Sequence, residues 1–205
     1  MGGVGRLKYE SVALASEFQC VGDDKLMTER PDRQLVESAQ QGDGDSFTEL
    51  CGRYYPAMVA IAHSIIGDRH LAEDAAQQAF AVAAVKLPEL RHADSFASWL
   101  GVICRNSAND IGRKQQRICD VDKLSKLPAR QDDSPDTEEA VREAVAGLTP
   151  EAREVIYLRY YDGLPYERIS KALGISEQAI NGRLRRAKEK IAEYLKQKGF
   201  GEDQL

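Results

Sequence analysis

Apolar side chains recur along most of this chain at steps of three and four, the interval at which an α-helix returns to the same face. Leu35, Val36 and Ala39 predict a short helix within residues 32–46. Phe47, Cys51, Tyr54, Met58, Ile61 and Ile65 then mark one face of a long helix, which Gly67 and Asp68 end. Pro56 lies inside it and removes a backbone hydrogen bond, so a bent axis or two helical pieces is expected. A further helix is predicted over residues 70–86, with Leu71, Ala75, Ala79, Val82 and Val85 buried and Glu73, Asp74, Gln77 and Gln78 polar. After a loop at 87–94 that contains Pro88, Ser95 or Asp94 is placed to cap a helix carrying Phe96, Trp99, Leu100, Ile103, Cys104, Ala108 and Ile111 inward. The other side of that helix presents Arg105, Asn109, Arg113 and Arg117 at steps of four, a single stripe.

The helical period lapses in two places. Residues 1–30 have no sustained pattern, and Gly2, Gly3, Gly5 and Gly22 interrupt any helix, so they are expected to form a mobile extension. Met27 is an alternative start, which mass spectrometry of the native protein would identify. Residues 118–137 hold Pro128, Pro135, Ser125, Ser134 and several aspartates with almost no aliphatic period, the composition of a flexible acidic linker. The expected fold is all-α: two small helical domains at residues 31–117 and 138–198, joined by that linker and followed by a tail at 199–205.

The second half carries the strongest local signals. Val141, Val145 and Leu148 resume the period, and Thr149 with Pro150 supplies an N-cap and first-turn proline for a helix holding Val155, Ile156 and Tyr160. In YYDGLPYERISKALGISEQAINGRLRRAKEKI, Pro165 opens one helix and Gly174 closes it where left-handed backbone is needed. Ser176 caps the next, and Ile175 with Ile180 is spaced as a hydrophobic staple. Ile169, Leu173, Ile180 and Leu184 face inward, which makes the pair a helix-turn-helix. Glu177, Gln178, Asn181, Arg185 and Lys188 then face outward on the second helix, with Ser176, Arg183 and Arg186 as further candidate DNA contacts. Its diameter suits a DNA major groove, where Arg and Asn pair with base edges and Arg or Lys neutralises phosphates. Gly182 in this helix costs about 1 kcal/mol relative to alanine, and is compatible with close approach to a phosphate backbone or with a tolerated defect. A solvated basic helix on a bundle is the bland alternative.

Composition narrows the function classes. A formal net charge of -5 argues against coating nucleic acid by overall charge. The cations are nevertheless clustered, with Arg113, Lys114 and Arg117 in one patch and Arg183, Arg185, Arg186, Lys188 and Lys190 in another. Four cysteines, Cys20, Cys51, Cys104 and Cys119, form no CxxC pair, and His63, His70 and His92 have no ligand spacing. Zinc, other cofactors and a disulfide framework are not expected, and free thiols in a reducing cytoplasm are. No apolar run approaches membrane-spanning length and no export signal is evident.

With both halves in view, the sequence resembles the extracytoplasmic-function sigma factors, over about residues 32–195. AEDAAQQAF at 72–80 is similar to the family's polymerase-docking helix, and SFASWLGVICRNSANDIGRKQQR at 95–117 to its promoter-opening segment. LTPEAREVIYLRYYDGLPYERISKALGIS at 148–176, with RLRRAKEKI after it, resembles the domain that binds the upstream, minus-thirty-five element. The resemblance implies a region 2 bundle followed by a region 4 helix-turn-helix. It implies as partners core RNA polymerase, through its largest-subunit clamp coiled coil and flap, promoter DNA, and an anti-sigma factor or other regulator.

By the same resemblance Glu73, Asp74, Gln77, Gln78 and Phe80 dock on the clamp. The loop at 90–96, with Arg91, His92, Asp94 and Ser95, captures a flipped base of the minus-ten element, a step that stacking beside Trp99 and Phe96 would offset. At this helical position Trp99 is more often core than platform. Arg105, Asn106, Asn109, Arg113 and Lys114 hold the non-template strand. The linker's acids are compatible with nucleic-acid mimicry or with a plain tether. Arg168-Ile169-Ser170 stands where Glu-Ile-Ala is common in the family. Two rivals remain: a stand-alone helix-turn-helix regulator with a sensing domain, and an enzyme using His63, His70 or His92 with Cys51 or Cys104, which lacks any phosphate-binding loop or carboxylate cluster.

Overall fold

A computed structural model describes residues 30–123 and 137–200, with side chains described for 30–115 and 139–200. All regular structure among these residues is helical, as the periodicity predicts. The helices are α1 (Asp32–Gln40), α2 (Gly44–Ile66), α3 (Arg69–Lys86), α4 (Phe96–Lys123), α5 (Thr137–Ala146), α6 (Pro150–Ile156), α7 (Tyr166–Leu173) and α8 (Glu177–Gln197).

Residues α1 to α4 form a bundle. Asp43 caps α2 by accepting from the Asp45 and Ser46 amides, and Gly67 ends the helix in left-handed backbone at φ 76°. Pro56 does not divide α2. Its ring and Gly52 one turn earlier are both exposed, so the carbonyl that lost its partner faces water. In α3 the buried positions are Ala72, Ala75, Ala76, Ala79, Phe80 and Ala83. Val85, expected inside, is 63% exposed. The run of small residues lets α3 approach α2 and α4 closely along the alanine ridge, which turns Val85 outward at the helix end.

The chain enters α4 through a 3-10 turn, Ala93–Ser95, and α4 runs on to Lys123. The linker expected from residue 118 therefore begins in helix. No glycine or proline interrupts 113–123, and each added residue of a helix gains a backbone hydrogen bond. Residues 124–136 of that linker, residues 1–29 of the expected extension, and residues 201–205 of the expected tail lie outside the described residues, and Thr137, the linker's expected last position, begins α5. Arg30, at the extension's last position, bonds to Ser46 and Glu49 of α2.

Thr149 caps α6 through the Ala152 amide, with Pro150 in the first turn. A π turn at Tyr157–Tyr161 extends α6. Arg153 satisfies the end of α5, its guanidinium donating to the carbonyls of Val145, Ala146 and Leu148. Gly174 closes α7 at φ 66°, and Ser176 caps α8 by accepting from the Ala179 amide at 3.2 Å. Ser170, one of the departures from the family pattern, donates its hydroxyl to the Ile175 carbonyl at 2.7 Å and so ties the turn across.

Both helical units are present, and they share one core. Val155, Leu158, Ile169 and Ala172 are fully buried in the same apolar cluster as Met58, Ile61, Leu100 and Cys104. Full burial of an aliphatic chain of this size contributes about 1.5–3 kcal/mol. A small second cluster of Ala140, Leu195 and Phe200 packs α5 against the end of α8.

Candidate nucleic-acid interface

Most of the residues expected to contact the upstream element form an exposed row. Ser176, Glu177, Gln178, Asn181, Arg185, Arg186 and Lys188 are exposed on α8, whereas Gly182 and Arg183 are half-buried. Ile180, Leu184 and Ala187 bury the opposite face, which holds the row outward. Arg185 lies only 3.9 Å from Glu189, and both side chains are solvated, so the pair scarcely restrains it. The Lys188 ammonium sits 4.9 Å from the centre of the Tyr160 ring. A Cβ at Gly182 would meet nothing closer than the Arg186 guanidinium at 3.6 Å, so no crowding among the described residues demands glycine there.

The loop at 90–96 is held from α1. Gln40 donates to the carbonyls of Leu87 and Leu90 at 2.9 and 2.8 Å, and Arg33 reaches Asp94 at 3.6 Å. Arg91, His92, Asp94 and Ser95 are exposed on it. Trp99 is half-buried, its ring 6.0 Å from that of Phe96, and packs on the core from its edge.

Along α4, Asn106, Asn109, Arg113 and Lys114 are exposed, and Asn106, Asn109, Asp110 and Arg113 line a shallow open cavity of about 380 Å³. The Arg117 side chain lies outside the described ones. Arg105 differs from the rest of its stripe. Its Nε donates to Glu154 Oε1 of α6 at 2.8 Å, and the Glu154 side chain is 9% exposed. Burial pushes the Glu154 carboxyl above the usual range despite Arg105 and Arg183 beside it.

On α3, Asp74, Gln77 and Gln78 are exposed and Glu73 is half-buried, paired with Arg69 at 3.1 Å. Phe80 is 8% exposed, and its ring stacks on Tyr55 with centroids 6.4 Å apart. Its side chain thus lies beneath the exposed Asp74, Gln77 and Gln78 and not beside them on the surface.

Other contacts between the two units were not legible in the sequence. Arg153 reaches past α5 to the Ser64 carbonyl of α2 at 3.3 Å. The His63 ring lies edge-on to Tyr157 and Tyr161, 4.8 Å from each centre, and burial lowers its basicity. His63 Nδ1 and Asp162 Oδ2 are buried with no hydrogen-bond partner among the described residues. A signal did exist for Glu154, a carboxylate one turn ahead of the core residue Leu158 and beside Val155.

Among the described residues no group of His, Cys, Asp and Glu could hold a metal ion, and no helix is long and apolar enough to cross a membrane. Cys51 and Cys104 are free thiols, each pushed by burial up to about 12. Cys104 donates to the Met58 carbonyl at 3.2 Å.

Comparison with known proteins gives these surfaces a family. Residues 50–118 match the sigma-70 region 2 model and residues 138–191 the sigma-70 region 4 model. The chain is 28% identical to the RNA polymerase sigma-H factor of Pseudomonas aeruginosa, over 83% of its own length and 96% of that protein's. It is 28% identical to the RNA polymerase sigma factor CarQ of Myxococcus xanthus, over 78% and 95% respectively. Among solved structures, CnrH in complex with the cytosolic domain of CnrY matches at 25% identity and a TM-score of 0.53, covering 80% of this chain and 97% of that one. With regions 2 and 4 in this order, and relatives matched over nearly their whole length, the chain belongs to the extracytoplasmic-function group of the sigma-70 family of RNA polymerase sigma factors.

Proposed function

We propose that this chain, as a sigma factor of that family, recognises promoters at two points. The unit at 138–198 reads the upstream element through α8 in the major groove. The unit at 31–117 docks on the clamp of core polymerase through Glu73, Asp74, Gln77 and Gln78, and holds the opened minus-ten strand through the loop at 90–96 and the α4 stripe. The observation that carries this reading is the exposed row on α8, held outward by Ile180, Leu184 and Ala187 behind a formed Ser176 cap.

The polymerase supplies the catalysis. Thiols raised to about 12 are protonated at neutral pH, so neither Cys51 nor Cys104 is a ready nucleophile, which counts against the enzyme reading. The factor acts in the cytoplasm with the polymerase. CnrH is bound by a cytosolic domain of another protein, and a protein regulator of similar kind is proposed for this chain.

Reconstitution tests the proposal. Added to core polymerase, the chain should yield promoter-specific run-off transcripts. A repressor or activator would require a separate sigma factor, and that result would remove the reading.

A further inference from the structure

We infer that Tyr160 is a positioning residue of the DNA-reading surface, its ring holding the Lys188 ammonium ready for a phosphate beside the groove that α8 enters. The inference rests on the promoter-binding reading above and extends that surface to a residue outside α8.

Gln178, Asn181, Arg185 and Lys188 follow one another on α8 at steps of three and four, and so share one face. Lys188 ends the row. At 1.5 Å per residue it lies about 15 Å along the axis from Gln178, more than the width of a major groove, about 12 Å. When the start of α8 meets base edges, Lys188 is therefore carried past them to the sugar-phosphate wall. A cation there neutralises a phosphate only when the chain that delivers it becomes ordered, and a lysine gives up a large rotamer freedom in doing so.

Tyr160 supplies that order from a second element. It stands in the π turn Tyr157–Tyr161, a geometry found mostly as single turns and frequently at functional sites. Tyr157 and Tyr161 of the same turn pack on the His63 ring. Tyr160 belongs to neither apolar cluster and is 54% exposed, with the Lys188 ammonium over its ring, 4.9 Å from the centre. The electron-rich face of the ring attracts the cation. Lys188 itself stays exposed, so the ring and a phosphate oxygen can hold one ammonium from two sides. Arg185, one turn earlier, faces only the solvated Glu189 of its own helix at 3.9 Å.

The test separates the ring from its hydroxyl and from its bulk. Holoenzyme assembled from the full-length wild type and core polymerase selects a preferred duplex from a random-sequence pool, and affinity for that duplex is then read by fluorescence anisotropy across a salt series. Tyr160→Ala should bind about threefold more weakly and lower the salt slope in the same direction as Lys188→Ala. Tyr160→Phe, which keeps the aromatic face, should bind as wild type does. Tyr160→Leu keeps apolar bulk without that face; it should behave as the alanine variant, and it replaces that variant if alanine loosens the turn in thermal unfolding. In the double variant, Tyr160→Ala should add nothing to the loss caused by Lys188→Ala.

Additive losses in the double variant overturn the inference, as does a phenylalanine variant as weak as alanine. So does unchanged or tighter binding when the ring is removed. A loss in Lys188→Ala without one in Tyr160→Ala or Tyr160→Leu overturns the role of Tyr160 alone; if the wild-type holoenzyme selects no duplex, the promoter-binding reading falls and the inference with it.

Discussion

The Arg105 guanidinium of α4 donates to the Glu154 carboxylate of α6 at 2.8 Å, in a site where only 9% of the glutamate side chain remains exposed. Burial nevertheless outweighs the attraction and raises the Glu154 carboxyl. A raised folded-state pKa contributes stability that is fully present below the unfolded value and is lost as pH rises through the folded one. At neutral pH the charge on Glu154 therefore works against the folded structure. The pair sets register between the units more than it holds them together.

Glu154→Gln should accordingly be nearly neutral at pH 7, within about 1 kcal/mol of wild type or slightly more stable. Glu154→Lys, which places a third cation between Arg105 and Arg183, should lose about 3 kcal/mol. Urea unfolding monitored by circular dichroism checks both, and a large loss in the glutamine variant would contradict the sign argued here.

His63 titrates in the opposite sense. Burial against Tyr157 and Tyr161, with Arg69 nearby and Asp68 opposing, lowers its pKa. Its contribution is present above the ordinary value of about 6.5 and is lost as pH falls through the lower folded value. Asp162 and Glu154, both raised by burial, oppose this trend, so a variant is needed to isolate it. Wild type should lose stability relative to His63→Phe as pH is lowered from 7.5 to 5.5; parallel curves would show that His63 titrates alike in the folded and unfolded states and that burial does not shift it.

Gly174 meets two demands at once, a left-handed φ of 66° and a Cβ position 3.2 Å from that of Ser98. Gly174→Ala should therefore cost about 1–2 kcal/mol from backbone strain alone, and more where Ser98 cannot yield. Ser176→Ala removes the cap on the next helix and should cost about 1 kcal/mol. Thermal unfolding of the two variants would measure each loss.

On α8, Arg185→Ala, Arg186→Ala and Lys188→Ala should each weaken binding to an upstream-element duplex. Each should also reduce the slope of log affinity against log salt by about one where the side chain neutralises a phosphate. Assembly with core polymerase should be unchanged. Unaltered DNA affinity in all three would detach α8 from promoter recognition.

Asp74 and Gln77 are solvated on α3, so replacing them leaves the bundle intact. The double variant Asp74→Ala with Gln77→Ala should reduce holoenzyme formation, read by gel filtration with core polymerase, while free-protein stability changes by less than about 0.5 kcal/mol. Undiminished assembly would reassign the docking face.

The order and kind of helices, the Thr149 and Ser176 caps, the Gly67 and Gly174 stops and the outward row on α8 were all legible in the sequence. Each depends on residues within one or two turns of each other, and local backbone chemistry suffices to specify them. Boundaries without a local stop were less so: α4 ran past residue 117 because nothing in its sequence ended it. The docking of α6 and α7 on α2 and α4 was decided only in three dimensions. Arg105 and Glu154 are 49 positions apart, and His63 meets Tyr157 from the far side of the linker; no periodicity records such a pairing. Whether Phe80 or Val85 faced inward likewise depended on how closely the alanines of α3 let its neighbours approach. Helical faces follow from spacing along the chain, whereas the surface that covers a face is chosen by long-range complementarity of shape, burial and charge.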